Sequence, residues 1–71
     1  MNGTVIGNTA TDDMIIVAYD LPAAPHAQED SKAMVAIGAS GPNGQGYNLV
    51  QFFEPCSGVV WAIYRAIAGG N

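Results

Sequence analysis

The sequence predicts an α+β fold: a small antiparallel sheet of three to four strands with one C-terminal helix packed on it. Three observations lead there. Met14 to Leu21 (MIIVAYDL) and Tyr47 to Phe53 (YNLVQFF) are dense in the β-branched and aromatic residues that suit a pleated surface. Clusters of Gly, Asn, Pro and Asp separate these runs, as hairpins require. The last run, Ser57 to Ala68 (SGVVWAIYRAIA), is apolar almost all round and carries a single charge, Arg65.

Taken in order, Gly3 to Gly7 (GTVIG) is a short β-type run, and the turn formers Asn8 to Asp13 (NTATDD) end it. Met14 to Leu21 follows as the second arm of a hairpin. Both of its alternating sets are apolar, Met14/Ile16/Ala18 and Ile15/Val17/Tyr19, which is the pattern of a central strand covered on both faces. Pro22 closes it, because proline donates no ladder hydrogen bond. Ala23 to Ser31 (AAPHAQEDS) is the most polar passage and is expected as an exposed loop. The alternative is a helix with Pro25 at its first position, running through His26 to Ile37 with Glu29 and Asp30 near its favourable end. Loop followed by strand is preferred, since Met34 to Ile37 run straight into the turn cluster Gly38 to Gly46, which contains an Asn-Gly step. Lys32 to Ala39 and Gly46 to Glu54 would then be the arms of a second hairpin.

Glu54-Pro55-Cys56-Ser57-Gly58 resets the chain direction, with Ser57 as a helix N-cap. At about 100° per residue, Val59, Val60, Trp61, Ile63, Tyr64, Ile67 and Ala68 cover an arc of roughly 200°, and Ala62, Arg65 and Ala66 fill the remainder. Gly69-Gly70-Asn71 supply the stop. A strand reading of the same residues stays open, because Val59, Val60, Trp61, Ile63 and Tyr64 all favour sheets.

Composition bounds the size and the partners. Seventy-one residues make a single domain, 1–71, with 49% hydrophobic and 11% charged residues, against roughly 25% charged in typical soluble domains. Domains this small usually need a disulfide, a metal or oligomerisation. Cys56 and His26 are the only residues of their kinds, so neither a disulfide within the chain nor a four-ligand zinc site is available. A homo-oligomer, dimer or larger, is the remaining expectation. The net charge of −4 leaves two cations, Lys32 and Arg65, too few to neutralise a phosphate backbone, so nucleic acid is excluded as a ligand. The final apolar run is shorter than the roughly 20 residues that span a bilayer, and no secretory leader is visible, which makes the cytoplasm the expected compartment. Met1-Asn2-Gly3-Thr4-Val5 is similar to the first strand of cold-shock-type barrels, but the basic and aromatic nucleic-acid surface of that family does not follow, and its function is not carried over.

Candidate functional residues divide into two sets. Met14, Ile16, Phe52, Val60, Trp61, Tyr64 and Arg65 are expected at an interface, since Trp, Tyr and Arg dominate binding energy when buried at contacts. Arg65 on an otherwise alanine face calls for a carboxylate, from Glu54 or from another subunit. In the second set, Gly41, Asn43, Gly44, Tyr47 and Arg65 would hold a nucleotide-like or carboxylate ligand at the oligomer interface. Gly38 to Gly46 lacks the Gly-Lys-Ser/Thr ending of a phosphate loop, so turn duty is its ordinary use. Cys56 with His26 as base, and Glu54 or Asp30 as orienting acid, would be nucleophilic machinery; a lone cysteine beside an apolar segment is more commonly a small buried hydrophobe. Asp12, Asp13 and Asp20 offer oxygen ligands, with turn and cap duty their commoner role. The expectation is a small non-catalytic protein-interaction module of the regulator or inhibitor type found in phage and accessory genomes. It would bind itself and a protein partner, with no enzyme activity, metal or cofactor.

Overall fold

The computed structural model describes residues 1–8 and 10–68. Strand β1 spans Thr4–Gly7 and β2 Met14–Asp20; a 3-10 turn, Ala24–His26, leads into helix α1, Ala27–Ala36; β3, Tyr47–Cys56, and β4, Val59–Ala66, complete the fold. The strands form one sheet in the order β1-β2-β4-β3, and every neighbouring pair is antiparallel. Two hairpins therefore flank a central helix. Their inner strands pair along seven residues, from Met14 opposite Arg65 to Asp20 opposite Val59.

A four-stranded antiparallel sheet and a single helical segment are present, but the helix is not C-terminal. The run expected as that helix is strand β4, and the helical segment is Ala24–Ala36 in the middle of the chain. An arc of about 200° was already too wide for a helix with one covered side. As a strand, the same residues separate into Val60, Ala62, Tyr64 and Ala66 on one face and Val59, Trp61, Ile63 and Arg65 on the other. Of the two alanines on the covered face, Ala62 is buried in the core and Ala66 packs closely against Gly41 of the connection that follows the helix. The terminal stop at Gly69-Gly70-Asn71 lies outside the described residues.

The second correction concerns Ala23 to Ala39. It is neither loop nor hairpin arm, and Gly38 to Gly46 is a helix-to-strand connection. Pro25 sits in the first turn of the 3-10 segment, where its missing N–H is harmless. Glu29 and Asp30 occupy the first turn of α1, where the helix dipole favours acids. At the other end, Gly38 N–H donates to Val35 O at 3.1 Å and Ala39 N–H to Met34 O at 2.9 Å, the paired bonds of a Schellman stop. Gly38 holds φ +88°, a conformation that L side chains resist. Ala39 and Met34, both fully buried, belong to the same core cluster.

The core lies between this helix and one face of the sheet. Ile15, Val17 and Tyr19 of β2, Ala62 and Tyr64 of β4, and Tyr47 of β3 are buried with Ala27 and Met34 of the helix. The other face has no layer over it among the described residues: Met14, Ile16 and Ala18 of β2 are only half-buried, as are Val59, Trp61 and Ile63 of β4. The two-sided apolar pattern of Met14 to Leu21 thus belongs to a central strand that the protomer covers on one face only. The sheet is open rather than a barrel.

Candidate functional site

The open face takes its pattern from strand alternation and register. Met14, Ile16, Ala18 and Asp20 stand opposite Arg65, Ile63, Trp61 and Val59 on the two central strands. Strand β3 adds Asn48 beside Arg65, Gln51 beside Ile63 and Phe53 beside Trp61, and β1 adds Thr4 beside Ala18. The Phe53 and Trp61 rings meet edge to face, centroids 5.5 Å apart at 74°, an arrangement that adds to simple area burial. An apolar centre of Ile16, Ala18, Trp61, Ile63 and Phe53 is rimmed by Thr4, Asp20, Asn48, Gln51 and Arg65. Protein interfaces are built in that way.

Of the seven expected interface residues, four share this face: Met14, Ile16, Trp61 and Arg65. Val60 and Phe52 point to the helix side, where Phe52, 49% exposed, lines a groove of about 520 Å³ with Leu21, Ala24, Pro25, Phe53, Glu54 and Val60. Tyr64 is 0% exposed and belongs to the core. Arg65 forms no ion pair among the described residues. Glu54 cannot answer it, because Glu54 sits near the Val59–Trp61 end of β4 and Arg65 at the other.

The five residues of the ligand set are only partly brought together. Asn43 and Arg65 line one cleft of about 390 Å³ with Asp13, Pro42, Ala66, Ile67 and Ala68. Gly41 is buried; Gly44 is exposed and lies outside that lining. The Tyr47 hydroxyl is engaged in holding the β1–β2 loop, donating to Asp12 O at 2.7 Å with Ala10 O at 3.2 Å. His26 Nδ1 lies 2.8 Å from Glu29 Oε2 on the exposed helix start, and Cys56 ends β3 exposed to solvent. Among the described residues no three His, Cys, Asp or Glu side chains are grouped to hold a metal. No helix is long and apolar enough to cross a membrane.

A polar cluster inside the core was not anticipated. Asp30 is 1% exposed. Its carboxylate accepts the Asn2 backbone N–H at 2.8 Å, the Asn2 side-chain amide at 2.9 Å, the Gly3 N–H at 2.9 Å and the Tyr19 hydroxyl at 2.7 Å. The Tyr19 hydroxyl also meets that of Tyr64, which donates to Ala27 O at 2.7 Å. Burial pushes the Asp30 carboxyl up, but the hydrogen bonds from Asn2, Tyr19 and Gly3 outweigh it and hold it below the usual carboxylate range. Burial is also the main cause that raises the two phenols, Tyr64 to about 12 and Tyr19 further, the latter helped by its bonds to Tyr64 and Asp30. The N-terminus is thereby tied to the helix. A side chain at Gly3 would place its Cβ 2.5 Å from both the Tyr19 ring and Val17 Cγ1, so only glycine lets the chain reach Asp30 here. The available signal was an acid at the core-facing spacing Ala27, Asp30, Met34, legible only once the helix is accepted.

No protein-family model, curated protein or solved structure matches this chain. What it can do therefore rests on its own geometry.

Proposed function

We propose that this chain is a non-catalytic protein-interaction module that works as a homo-oligomer through the open face of its sheet. One observation carries this reading: half the sheet's surface is apolar at its centre, polar at its rim, and without a covering layer among the described residues. Large apolar patches of that kind mark interaction sites. The polar cluster at Asp30 is enclosed, hydrogen-bonded throughout and held by the N-terminal segment and the helix, which suits a structural clamp better than a catalytic acid.

Light scattering behind gel filtration at micromolar concentration tests the reading. The expected result is an assembly larger than one chain that Trp61→Ala shifts toward monomer. A clean monomer that binds no hydrophobe-sensing dye removes it.

A second reading has the cleft of Asp13, Asn43 and Arg65 binding a small carboxylate, with Arg65 as the anchoring cation. A thermal-shift panel separates the two, since a ligand at 100 times its dissociation constant stabilises a fold by about 2.7 kcal/mol. Loss of any such shift in Asn43→Ala, with assembly unchanged, would place the ligand in the cleft.

A further inference from the structure

We infer that the occupant of the open face is a second copy of this chain, seated face to face with its strands antiparallel to the first, so that Arg65 of each copy pairs with Asp20 of the other. This rests on the homo-oligomer reading and specifies its geometry.

The argument begins with where the charges lie. Arg65 and Asp20 stand on the same face of adjacent antiparallel strands, at opposite ends of the paired stretch; Asp20 Oδ1 accepts the Ala23 N–H at 2.9 Å, which leaves Oδ2 as the oxygen for a partner's guanidinium. Six residues at about 3.3 Å place them roughly 20 Å apart, beyond each other's reach within one chain. Two packed sheets related by a twofold axis have two simple arrangements. An axis along the strands brings Arg65 beside Arg65 and Asp20 beside Asp20, two like-charge contacts. An axis across the strands brings Arg65 of each copy to the end where the other presents Asp20 and Val59. Only the second gives opposite charges, and symmetry supplies the pair twice. The same operation sets Trp61 over Ile63 of the other copy and Ile16 over Ala18, so large side chains meet smaller ones.

Competing modes of pairing are discouraged by the edges. β1 has four residues and a register shift between Val5 and Gly7; β3 shifts register between Leu49 and Gln51 and again between Phe53 and Cys56. Bulged or short edges resist strand addition. Size is adequate for a weak dimer: eight residues of β4 at about 3.3 Å, by four strands at about 4.8 Å, give roughly 500 Å² per copy. The total of about 1,000 Å² lies just below the roughly 1,200 Å² of stable interfaces, in the range of weak ones, and fits exchange between monomer and dimer. The groove beside Phe52 lies on the helix side and takes no part.

Two measurements test this arrangement. In sedimentation equilibrium, Asp20→Arg and Arg65→Asp should each weaken dimerisation by about tenfold, as two attractive rim pairs become repulsive, and the double reversal should restore it. In a Cys56→Ser background, Asp20→Cys and Arg65→Cys proteins are treated with a thiol cross-linker of about 10 Å, the spacing of packed sheets. Linked dimers should form in the equimolar mixture and not in either protein alone. Cross-linking of Arg65→Cys with itself, or a dimer indifferent to all three charge variants, overturns the antiparallel arrangement while leaving a homo-oligomer standing. A wild-type chain that stays monomeric at high micromolar concentration overturns both.

Discussion

Asp30, Tyr19 and Tyr64 carry two phenolic protons across three oxygen contacts, so the Tyr64 proton is shared between the Tyr19 oxygen and Ala27 O while Tyr19 donates to the carboxylate. An acceptor with this many donors is costly to remove. Asp30→Ala strands the N–H groups of Asn2 and Gly3 and is expected to lower unfolding free energy by about 3 kcal/mol. Tyr19→Phe should cost about 2 kcal/mol and Tyr64→Phe about 1 kcal/mol, since Ala27 O lies within the helix backbone. Urea titrations would order the three, and a Tyr64→Phe variant weaker than Asp30→Ala would contradict the network as described. The pH dependence follows from the same residues. Asp30 titrates lower in the folded chain than in the unfolded one, so its contribution is fully present above about 3.9 and lost as pH falls through the lower folded value. Tyr64 titrates higher when folded: its contribution is complete below about 10 and lost as pH rises through about 12. Tyr19 and Tyr47 are also raised, and these three are all the tyrosines of the chain. Tyrosinate absorbance should therefore stay flat near pH 10 and climb together with the loss of secondary structure. An independent ionisation of any one phenol at its ordinary value, with the fold intact, would argue against its burial.

At the scale of elements, β1, β2 and β3 were legible, whereas the sequence reading made β4 the helix and preferred loop and strand where the helix lies. Met14 to Asp20 declared itself by β-branched density bounded by Asp-Asp and Pro, and the sheet follows it closely. Ser57 to Ala68 was ambiguous for a physical reason: with apolar residues at nearly every position, neither period stands out, and what decides is the pairing of this run with β2 on one edge and β3 on the other. The helix itself was obscured because its exposed side carries Val35 and Ile37, 54% and 56% exposed, while its buried side carries Asp30 and Ser31. Polar and apolar residues are mixed on its buried side, Ala27 and Met34 beside Asp30 and Ser31, so amphipathic patterning fails. End signals survive where patterning does not: Pro25 at the start and Gly38-Ala39 at the stop name the helix that the middle conceals. Gly38→Ala tests that stop. Nothing lies within 4 Å of the added methyl, so the expected loss of about 1 kcal/mol in chemical denaturation is purely the backbone cost of φ +88°. A neutral substitution would mean that the Schellman turn does not limit stability.

For the molecule as a whole, the same economy explains both the network and the open face. A chain this short buries too little apolar area to leave its inventory of Ile, Val and Trp satisfied on its own. One side of the sheet is closed by a ten-residue helix, and that helix is so polar toward the core that Asp30 needs the N-terminus and two tyrosines to settle it. The other side leaves Ile16, Trp61 and Ile63 without a layer over them among the described residues. Of the interface set, alternation within β2 placed Met14 and Ile16 correctly on a shared face, whereas β4 mixed both faces because a helical arc joins residues that a strand separates. Stability should consequently depend on protein concentration. Raising it from low to high micromolar is expected to lift the midpoint of thermal unfolding by several degrees, because the occupant binds the folded state alone. Ile63→Glu puts a charge at the centre of the face without touching the core beneath the helix, so it should abolish the concentration dependence and leave the circular dichroism unchanged. Phe52→Ser, on the helix side, should leave the concentration dependence intact. A reversed outcome, with Phe52 controlling assembly and Ile63 indifferent, would move the interface to the groove beside Pro25.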